Sequence, residues 1–417
     1  MKYDLIVAGG GFSGVAAAVA AARQGVSVLL IEKSGYLGGA ACNNYVNPFM
    51  PYTVILDEQK QKISAGMFGE VLDRLEKKGG LHEGKRTFSE EIVKLIFDDM
   101  TEEAGVDVLL HSLVCKVEKN GGKMTAVTVT GKSGDITFEA DYFIDATGDC
   151  DLAVLAGCPY QLGRAKDNLC QPMTLCFRIS GVDIEQFGRQ NKEIQDLYKQ
   201  WQAEGKTSNP RENVLIFSHM ADGVLHFNTT RIVKKNPVDV FDLSKAEKEA
   251  RRQMFELFTM LKENFSAFEN SVLLASAPEI GVRESRKIQG DFILDVPDLK
   301  GCTIFPDRIA ACNYDIDIHN PEGSGTSHYY FGKGEYYTIP YRALIPSGVT
   351  NLLAAGRCIS TTHEAQASYR IIPVCCTLGE AAGVAVAVAK QDGVTQMKQV
   401  NVQKVQEILV KQGAFIG

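Results

Sequence analysis

The chain has 417 residues, of which 45% are hydrophobic and 23% charged, a composition typical of a folded protein that buries a large core. Its formal net charge of -7 argues against a nucleic-acid partner, because nucleic acids favour a basic protein surface. The 11 cysteines show no CxxC pair and no zinc-type Cys/His spacing, so we expect reduced thiols, no metal site and a cytoplasmic protein.

The first residues of the chain predict a strand–helix–strand unit. Tyr3–Ala8 is an apolar run typical of a buried parallel strand, Val15–Gln24 is rich in alanine and predicts a helix, and Val26–Ile31 is a second apolar run. The first run is short, contains Asp4 and leads directly into glycines, which favours an opening strand over a signal peptide.

A GxGxxG arrangement of Gly9, Gly11 and Gly14 joins the first strand to the helix. The first glycine permits the tight turn, the second lets the backbone approach a pyrophosphate, and the third lets helix and strand pack closely. The phosphates of a dinucleotide would lie at the helix N-terminus, whose free N–H groups favour negative charge. Glu32 ends the second strand, where its carboxylate can accept hydrogen bonds from ribose hydroxyls; this acid argues against the 2′-phosphate of NADP.

Additional glycine turns favour FAD over NAD. The segment IEKSGYLGGAA puts two glycines directly after the ribose acid, and FIDATGD and LLAAGRC each end an apolar strand in a glycine turn. Several strand ends that meet at one crevice form the ligand site of an open α/β sheet. The residues predicted to bind FAD are Gly9, Gly11, Phe12, Ser13, Gly14, Glu32, Lys33, Gly38, Gly39, Ala40, Val114, Ala146, Thr147, Gly148, Gly356, Arg357, Ile372, Pro373 and Val374.

The next part of the chain predicts two helices and a group of strands. The helices are expected at Met67–Lys78 and Glu90–Ala104, the second with Ser89 as its N-cap. Short strands separated by glycine turns are expected from Val106 to Ile144.

Residues 159–338 mix short strands with polar helices and contain no nucleotide-type glycine loop. We therefore predict an inserted second domain there, between residues 1–158 and 339–417, which together would form the FAD-binding domain. The strands and helices predicted for the insert are Met173–Ile179, Val214–Phe217, Leu225–Thr229, 184–204 and 244–265.

A buried strand at Asn351–Ala355 and two helices, Val374–Lys390 and Val402–Lys411, are predicted near the C-terminus. The first of these helices is apolar, but Glu380 interrupts it and its apolar stretch is too short to cross a bilayer. We therefore expect no membrane span.

Several segments together resemble a bacterial family of FAD-dependent oxidoreductases. They are DLIVAGGGFSGVAAA, LIEKSGYLGGAA, IDATGDCDLAVLAG, GVRESRKIQGDF, IPYRALIPSGVTNLLAAGRCIS and THEAQASYRIIPVCCTLGEAAGVAVAVA, with the weakest coverage in residues 180–270. That family is similar in fold to the succinate dehydrogenase and fumarate reductase flavoproteins and, more distantly, to glutathione reductase. The resemblance implies an α/β fold with a tightly bound FAD, a Rossmann-like FAD-binding domain in two parts and an inserted α+β substrate domain. It names no substrate, because a fold does not determine a function.

The segment Ser360–Pro373 is the first candidate for chemistry. We expect a loop here that leads into a helix near Pro373, whose positive end would point at the flavin ring. His363 could donate a proton or bind a substrate carbonyl, and Arg370 could bind a carboxylate or negative charge on the flavin. Either could instead be structural, His363 through its neighbour Glu364 and Arg370 through backbone carbonyls.

Three further candidates lie in charged segments. Arg283 and Glu284 belong to GVRESRK, and His319 belongs to YDIDIHNPEG. Spacing alone would make the first segment a solvated charge run. The family resemblance favours a position near the substrate or the flavin for all three residues.

Two departures from the succinate and fumarate proteins restrict the comparison. Those proteins have a different signature where this chain has Tyr369–Pro373, which argues against a dicarboxylate substrate, and their motif for histidine-linked FAD is absent. Cys42 follows the second glycine pair and could form a covalent or redox link, but we expect a packed thiol there because free cysteines usually pack.

Together these features predict an FAD-dependent enzyme that moves a hydride between flavin N5 and a small organic substrate, with a further electron donor or acceptor. Two alternatives are open. One is a C=C reductase like fumarate reductase, and the other is a non-catalytic FAD-containing subunit that transfers electrons.

Overall fold

A computed structural model describes all 417 residues. The helices are α1 (Phe12–Ala22), α2 (Ala40–Asn43), α3 (Met67–Lys77), α4 (Glu90–Ala104), α5 (Asp151–Leu155), α6 (Ile184–Ala203), α7 (Val240–Asn264), α8 (Val296–Lys300), α9 (His363–Tyr369), α10 (Ile372–Asp392) and α11 (Val402–Lys411). The strands are β1 (Lys2–Ala8), β2 (Val28–Ile31), β3 (Thr53–Leu56), β4 (Gln59–Lys62), β5 (Asp107–Leu109), β6 (Leu113–Asn120), β7 (Lys123–Gly131), β8 (Gly134–Asp145), β9 (Tyr160–Leu162), β10 (Phe177–Ser180), β11 (Ile216–Ser218), β12 (Leu225–Phe227), β13 (Val272–Ser276), β14 (Arg286–Ile288), β15 (Arg308–Cys312), β16 (Ile316–His319), β17 (Thr326–Tyr329), β18 (Tyr337–Pro340) and β19 (Leu352–Ala354).

A seven-stranded sheet lies at the centre of the molecule. Its parallel strands follow the order β5-β2-β1-β8-β19, and β7 and β6 continue the sheet as an antiparallel meander from the first half of β8. Ala8 pairs with Ile31 on one side and with Asp145 on the other, and Asp145 also pairs with Ala354. Four parallel strands therefore end level with one another, so that their following turns meet at one edge of an α/β, Rossmann-like sheet.

Helices α1 and α10 cover one face of this sheet and pack against each other through small residues. A Cβ added at Gly379 would lie 2.0 Å from the backbone oxygen of Ser13, and one at Gly383 would lie 2.1 Å from that of Ala17. Only glycine permits so close an approach of two backbones. By length and composition α10 could cross a membrane, but 94% of its most apolar window is buried inside the structure, as in a core helix.

A separate hydrophobic core of 22 buried residues lies in the middle of the chain. It is built from the four-stranded antiparallel sheet β11-β12-β10-β13 together with α6 and α7. Its buried members run from Met173 to Ile280, whereas buried residues from Leu294 to Ile339 belong to the larger core with α1 and α10. The division of the chain into 1–158, 159–338 and 339–417 stays a prediction.

Most predicted elements are present with shifted ends. α4 has the predicted bounds, and Ser89 caps it by accepting a hydrogen bond from the backbone N–H of Ile92 (3.4 Å). α1 begins at Phe12, three residues earlier than predicted, because its first turn includes the end of the glycine fingerprint. α7 also begins earlier than predicted, since Asp239 caps its first turn.

The prediction of a loop over residues 360–373 is wrong for half of that segment. Residues His363–Tyr369 form α9, and Thr362 caps this helix because its Oγ1 accepts a hydrogen bond from the backbone N–H of Ala365 (3.3 Å). α10 then begins at Ile372, with proline in its first turn as predicted.

Glu380 is a buried carboxyl group in the middle of α10. Its Oε2 accepts a hydrogen bond from the backbone N–H of Met67 (2.9 Å), the first residue of α3, whose N-cap residue Gly66 has no side chain. Burial raises the pKa of Glu380 to about 7. Because the folded pKa exceeds the unfolded one, the protonated carboxyl stabilises the fold at low pH, and this contribution is lost as the pH rises to about 7.

We therefore expect Glu380→Gln to stabilise the protein relative to the wild type in a pH-dependent manner. The amide keeps an oxygen that can accept the Met67 hydrogen bond and cannot ionise. The gain in unfolding free energy is expected to approach about 3 kcal/mol near pH 8 and to vanish near pH 4. Urea unfolding of both proteins at the two pH values measures it, and a difference that does not change with pH would contradict the prediction.

Candidate active site at the carboxyl ends of the central sheet

A cavity of about 470 Å³ lies at the carboxyl ends of the parallel strands. The turns after β1, β2, β8 and β19 and the first residues of α1 and α10 line it. Of the 19 residues predicted to bind FAD, 15 line this cavity: Gly9, Gly11, Phe12, Ser13, Glu32, Lys33, Gly38, Gly39, Ala40, Ala146, Thr147, Gly148, Gly356, Arg357 and Ile372.

The three fingerprint glycines have different surroundings. Gly9 has a φ of +97°, and a Cβ at Gly14 would lie 1.7 Å from the backbone oxygen of Gly9, so the protein's own packing requires both glycines. A Cβ at Gly11 would instead meet only the Cα of Gly39, at 3.6 Å. Gly11 therefore faces the space of the cavity, where a side chain would occupy the room of a ligand.

The N-terminus of α1 presents unused hydrogen-bond donors to the cavity. Its N-cap residue, Gly11, has no side chain, and the backbone N–H groups of Phe12 and Ser13 donate to no acceptor within the protein. The buried Oγ of Ser13 also has no hydrogen-bond partner. These donors, together with the positive end of the helix dipole, fit a pyrophosphate.

Glu32 lies at the end of β2, next to this helix N-terminus. Its Oε2 accepts a hydrogen bond from the backbone N–H of Gly10 (2.6 Å), and its Oε1 accepts one from that of Ser34 (2.8 Å). The backbone thereby fixes the carboxylate, and each oxygen keeps a lone pair that can accept from a ribose hydroxyl.

Arg357 connects the turns that follow β8 and β19. Its Nε donates to the backbone oxygen of Gly148 (2.7 Å), and its Nη2 donates to Asp149 Oδ1 (2.5 Å). Burial alone would raise the pKa of Asp149, but the charge of Arg357 and a hydrogen bond from Ser285 outweigh burial and lower it. The resulting ion pair holds the second glycine turn against the cavity.

The N-terminus of α10 is another uncapped helix start at this cavity. Its N-cap residue, Ile371, makes no side-chain cap, and the backbone N–H groups of Ile372 and Val374 donate to no protein acceptor. Two helix dipoles thus direct their positive ends toward the same space. One fits a pyrophosphate, and the other fits negative charge on an aromatic ring system.

Comparison with known proteins identifies the family. The family described as FAD dependent oxidoreductase matches residues 4–409. This chain belongs to that family. FAD is therefore its cofactor, and the donors at α1, the Glu32 carboxylate and the start of α10 are the groups that fit it.

Two solved structures match nearly the whole chain at low sequence identity. A geranylgeranyl bacteriochlorophyll reductase-like protein from Thermoplasma acidophilum is 12% identical, with a TM-score of 0.47 over 99% of this chain and 84% of that chain. The flavin-dependent brominase Bmp2 is 12% identical, with a TM-score of 0.48 over 99% of this chain and 83% of that chain. Likeness at this level carries no information about the substrate of this oxidoreductase.

Four predicted FAD-binding residues do not line the cavity of this oxidoreductase. Gly14 packs against Gly9, Val114 is buried in β6, and Pro373 and Val374 form the first turn of α10 behind Ile372. Their contact with FAD stays a prediction.

Thirteen cavity residues were not predicted. Six lie next to predicted residues in the sequence or a few positions after them. Including the neighbours of each predicted turn would have identified them: Ala41, Asn43, Asn44, Asp149, Ala355 and Cys375. The other seven close the cavity from the side of the second core, and only Val282, in GVRESRK, belongs to a motif noted in the sequence: Pro237, Leu243, Ser244, Glu247, Glu279, Ile280 and Val282.

Polar contacts join this second group to the FAD-binding turns. Lys33 Nζ lies 2.8 Å from Glu279 Oε2, and the side-chain amide of Asn44 donates to the backbone oxygens of Glu279 and Ile280, both at 3.1 Å. The second core therefore covers the cavity through bonds to residues of the first part of the chain.

His363 and Glu284, two of the predicted catalytic residues, form a buried network away from the FAD cavity. Glu284 is fully buried and accepts hydrogen bonds from His363 Nδ1 (2.6 Å), Lys287 Nζ (2.6 Å) and the backbone N–H of Gln171 (2.9 Å). Burial opposes ionisation of Glu284, but the bond from His363 and the charge of Lys287 lower its pKa. His363 thus pairs with Glu284 rather than with its neighbour Glu364, and it lines a second cavity of about 890 Å³.

The other three candidates, Arg283, Arg370 and His319, come together around Asp317. His319 Nε2 lies 3.3 Å from Asp317 Oδ2, and Arg370 Nη2 lies 4.0 Å from the same oxygen. Arg370 also lines the FAD cavity, as does Val282, the residue before Arg283. A catalytic role for these five residues stays a prediction.

Cys42 does not line the FAD cavity of this oxidoreductase. It is fully buried, its Sγ lies 3.5 Å from the backbone oxygen of Glu90, and burial raises the pKa of its thiol well above the usual value. A thiol so enclosed and protonated is a poor nucleophile toward a flavin.

We therefore expect FAD to be held without a covalent bond. After acid precipitation of the purified protein, all flavin absorbance should remain in the supernatant, and Cys42→Ser should release the same amount. Flavin fluorescence in the denatured, washed pellet of the wild type alone would contradict this expectation.

Proposed function

We propose that this oxidoreductase transfers a hydride between flavin N5 and a small organic substrate. The position of Arg370 supports the proposal most directly, because its side chain lines the FAD cavity and also bonds to buried polar groups behind it. Its Nη2 donates to Gln171 Oε1 (3.3 Å) and to the backbone oxygen of Asp317 (3.4 Å). A substrate bound by these groups would lie beside the cofactor.

FAD, when bound, supplies the hydride acceptor or donor, and the protein's contribution is to hold the substrate and tune the charge around it. The uncapped N-terminus of α10 favours negative charge on the ring. Arg370 adds a guanidinium that can bind a negative or carbonyl oxygen of the substrate.

His319 acts in this proposal as a neutral hydrogen-bonding group. Its Nδ1 accepts from Arg231 Nη2 (2.9 Å), so Nε2 carries the proton and faces Asp317. Burial and the charge of Arg283 lower the pKa of His319 to about 3, so the ring stays uncharged near neutral pH. We assign it the task of orienting Asp317 rather than that of a strong acid.

Glu284 and His363 are positioning residues in this proposal. Glu284 holds the backbone of Gln171, whose side-chain oxygen accepts from the backbone N–H of His319 (3.3 Å) and from Arg370 (3.3 Å). His363 fixes Glu284 in turn. Their loss would disturb the substrate groups through Gln171.

The proposal is tested by flavin absorbance under anaerobic conditions. The oxidised holoprotein is mixed with a library of small metabolites and watched for bleaching, and the dithionite-reduced holoprotein is watched for return of colour. We expect at least one compound to change the redox state of the flavin with no other protein present. Arg370→Gln should keep its FAD and react much more slowly with that compound.

Two other outcomes would decide between the alternatives. Recolouring of the reduced protein by simple enoates, with loss of their C=C bond, would assign a C=C reductase. Failure of every compound, combined with rapid electron exchange with a redox protein, would contradict the proposal and favour a non-catalytic electron-transfer subunit.

A further inference from the structure

Four buried or half-buried arginines, Arg211, Arg231, Arg283 and Arg370, lie close enough for their charges to act on Arg283, and Arg370 also lines the FAD cavity; we refer to them as the arginine cluster. Burial and the charges of the other three arginines lower the pKa of Arg283 to about 9. Because the ordinary pKa of a guanidinium is above 12, all four side chains still carry a positive charge near neutral pH. The cluster is therefore a region of concentrated positive charge.

The protein compensates only part of this charge. Arg231 Nη1 lies 3.0 Å from Glu212 Oε2, and Arg370 Nη2 lies 4.0 Å from Asp317 Oδ2. Four guanidinium groups thus face two carboxylates. Buried charges without partners are costly, so a surplus of this kind is retained where a ligand of opposite charge supplies the balance.

Hydrogen-bond donors in and beside the cluster also lack acceptors. Arg211 Nη1, Arg370 Nε and the side-chain nitrogen of Gln171 are buried and have no hydrogen-bond partner, and the buried acceptor Asp317 Oδ1 also has none. Arg283 uses Nη1 and Nη2 for protein oxygens, so its position is fixed by Pro172, Thr174 and Asn228. A buried donor without a hydrogen bond destabilises the protein, and a ligand with acceptor oxygens would supply the missing bonds.

A buried arginine outside the cluster, Arg178, shows how this fold balances a single buried positive charge. Arg178 is paired with Glu90, which is itself buried, and its guanidinium lies 4.2 Å from the centre of the Tyr45 ring. This arginine connects the second core to α4, and one buried carboxylate matches its single charge. The surplus charge is therefore a property of the cluster and not of buried arginines in this fold.

We propose that the arginine cluster binds the carboxylate of an organic acid and that this acid is the substrate class of the oxidoreductase. The inference rests on the proposed hydride transfer, because Arg370 belongs to both the cluster and the FAD cavity. A carboxylate matches the fork of a guanidinium, presents two acceptor oxygens to the unpartnered donors and neutralises part of the surplus charge.

Binding to the oxidised holoprotein tests the proposal without turnover. Acetate, malonate and succinate are compared with acetamide, malonamide and succinamide, and with inorganic phosphate, by flavin difference spectra and by thermal shift. We expect at least one acid to perturb the flavin spectrum and raise the melting temperature, while its amide does neither. Equal effects of acid and amide, no binding of any acid, or phosphate binding more tightly than every acid would overturn the proposal.

Variants separate ligand binding from structure. Arg211→Met should weaken binding of the responsive acid by about tenfold or more, since a charged hydrogen bond is lost, and should not lower the melting temperature of the ligand-free protein. Arg178→Met is the matched control: it should lower the melting temperature and leave the affinity for the acid unchanged. Arg283→Lys, which keeps the charge but loses the planar fork, provides a second variant and should also weaken binding.

The outcomes distinguish this inference from the proposed function. Unchanged acid affinity in both Arg211→Met and Arg283→Lys would contradict the carboxylate site even if a metabolite turned the flavin over. The opposite result is acid binding that requires these arginines while no compound changes the redox state of the flavin. That result would support the carboxylate site and contradict hydride transfer.

Discussion

Gly11→Asp is expected to give a folded protein that purifies without FAD. A Cβ at Gly11 meets no protein atom closer than 3.6 Å, so the substitution leaves the packing of the sheet and α1 intact. The carboxylate would occupy the space at the uncapped helix N-terminus and repel a pyrophosphate. Like charges about 4 Å apart near a protein surface cost roughly 4 kcal/mol, which corresponds to about a thousandfold loss of affinity.

Flavin absorbance per protein chain measures this effect, and circular dichroism checks the fold. Gly188→Asp is the matched control, because Gly188 lies on the exposed side of α6 with no heavy atom within 4 Å of an added Cβ. The control should retain its FAD. A Gly11→Asp protein with a full complement of FAD would show that the pyrophosphate does not lie at α1.

Gly383→Ala is expected to destabilise the protein severely, although alanine is the better helix former. The added methyl group would lie 2.1 Å from the backbone oxygen of Ala17, so α10 and α1 would have to separate. Overpacking of this kind costs about 1–3 kcal/mol and sometimes more. Since α1 and α10 both begin at the FAD cavity, their separation should also weaken FAD binding.

Replacing Gly188 with alanine should instead raise the stability of the protein. Gly188→Ala on exposed α6 is expected to stabilise the protein by about 0.5–1 kcal/mol, because it removes only the entropy cost of glycine in a helix. Thermal unfolding of the two variants beside the wild type provides the measurement. A Gly383→Ala protein as stable as the wild type would contradict the close packing of the two helices.

The cavity residues that we assign to FAD could be predicted from the sequence because the requirements of such a site are local. Gly9, Gly11, Gly14 and Glu32 lie within one strand–helix–strand unit, and each residue type follows from what a turn, a helix start or a ribose needs. The later glycine turns were predicted in the same way. Their meeting at one edge follows from parallel pairing, in which Ala8 and Asp145 lie side by side.

The proposed substrate site could not be predicted in this way, because its residues come from distant segments. Arg211 and Arg231 lie in the second core without any motif, and only the tertiary packing brings them to Arg370. The hydrogen-bond partner of His363 could not be predicted for the same reason. Sequence proximity favoured Glu364, but adjacent residues on a helix point in different directions, and His363 bonds to Glu284 from a distant segment.

The cofactor site is the centre of this account, and the absorption spectrum of the purified protein tests it most directly. We expect a yellow protein with about one FAD per chain, whose flavin absorbance disappears on addition of dithionite under anaerobic conditions and returns with an oxidant. A colourless protein that takes up no added FAD would contradict it.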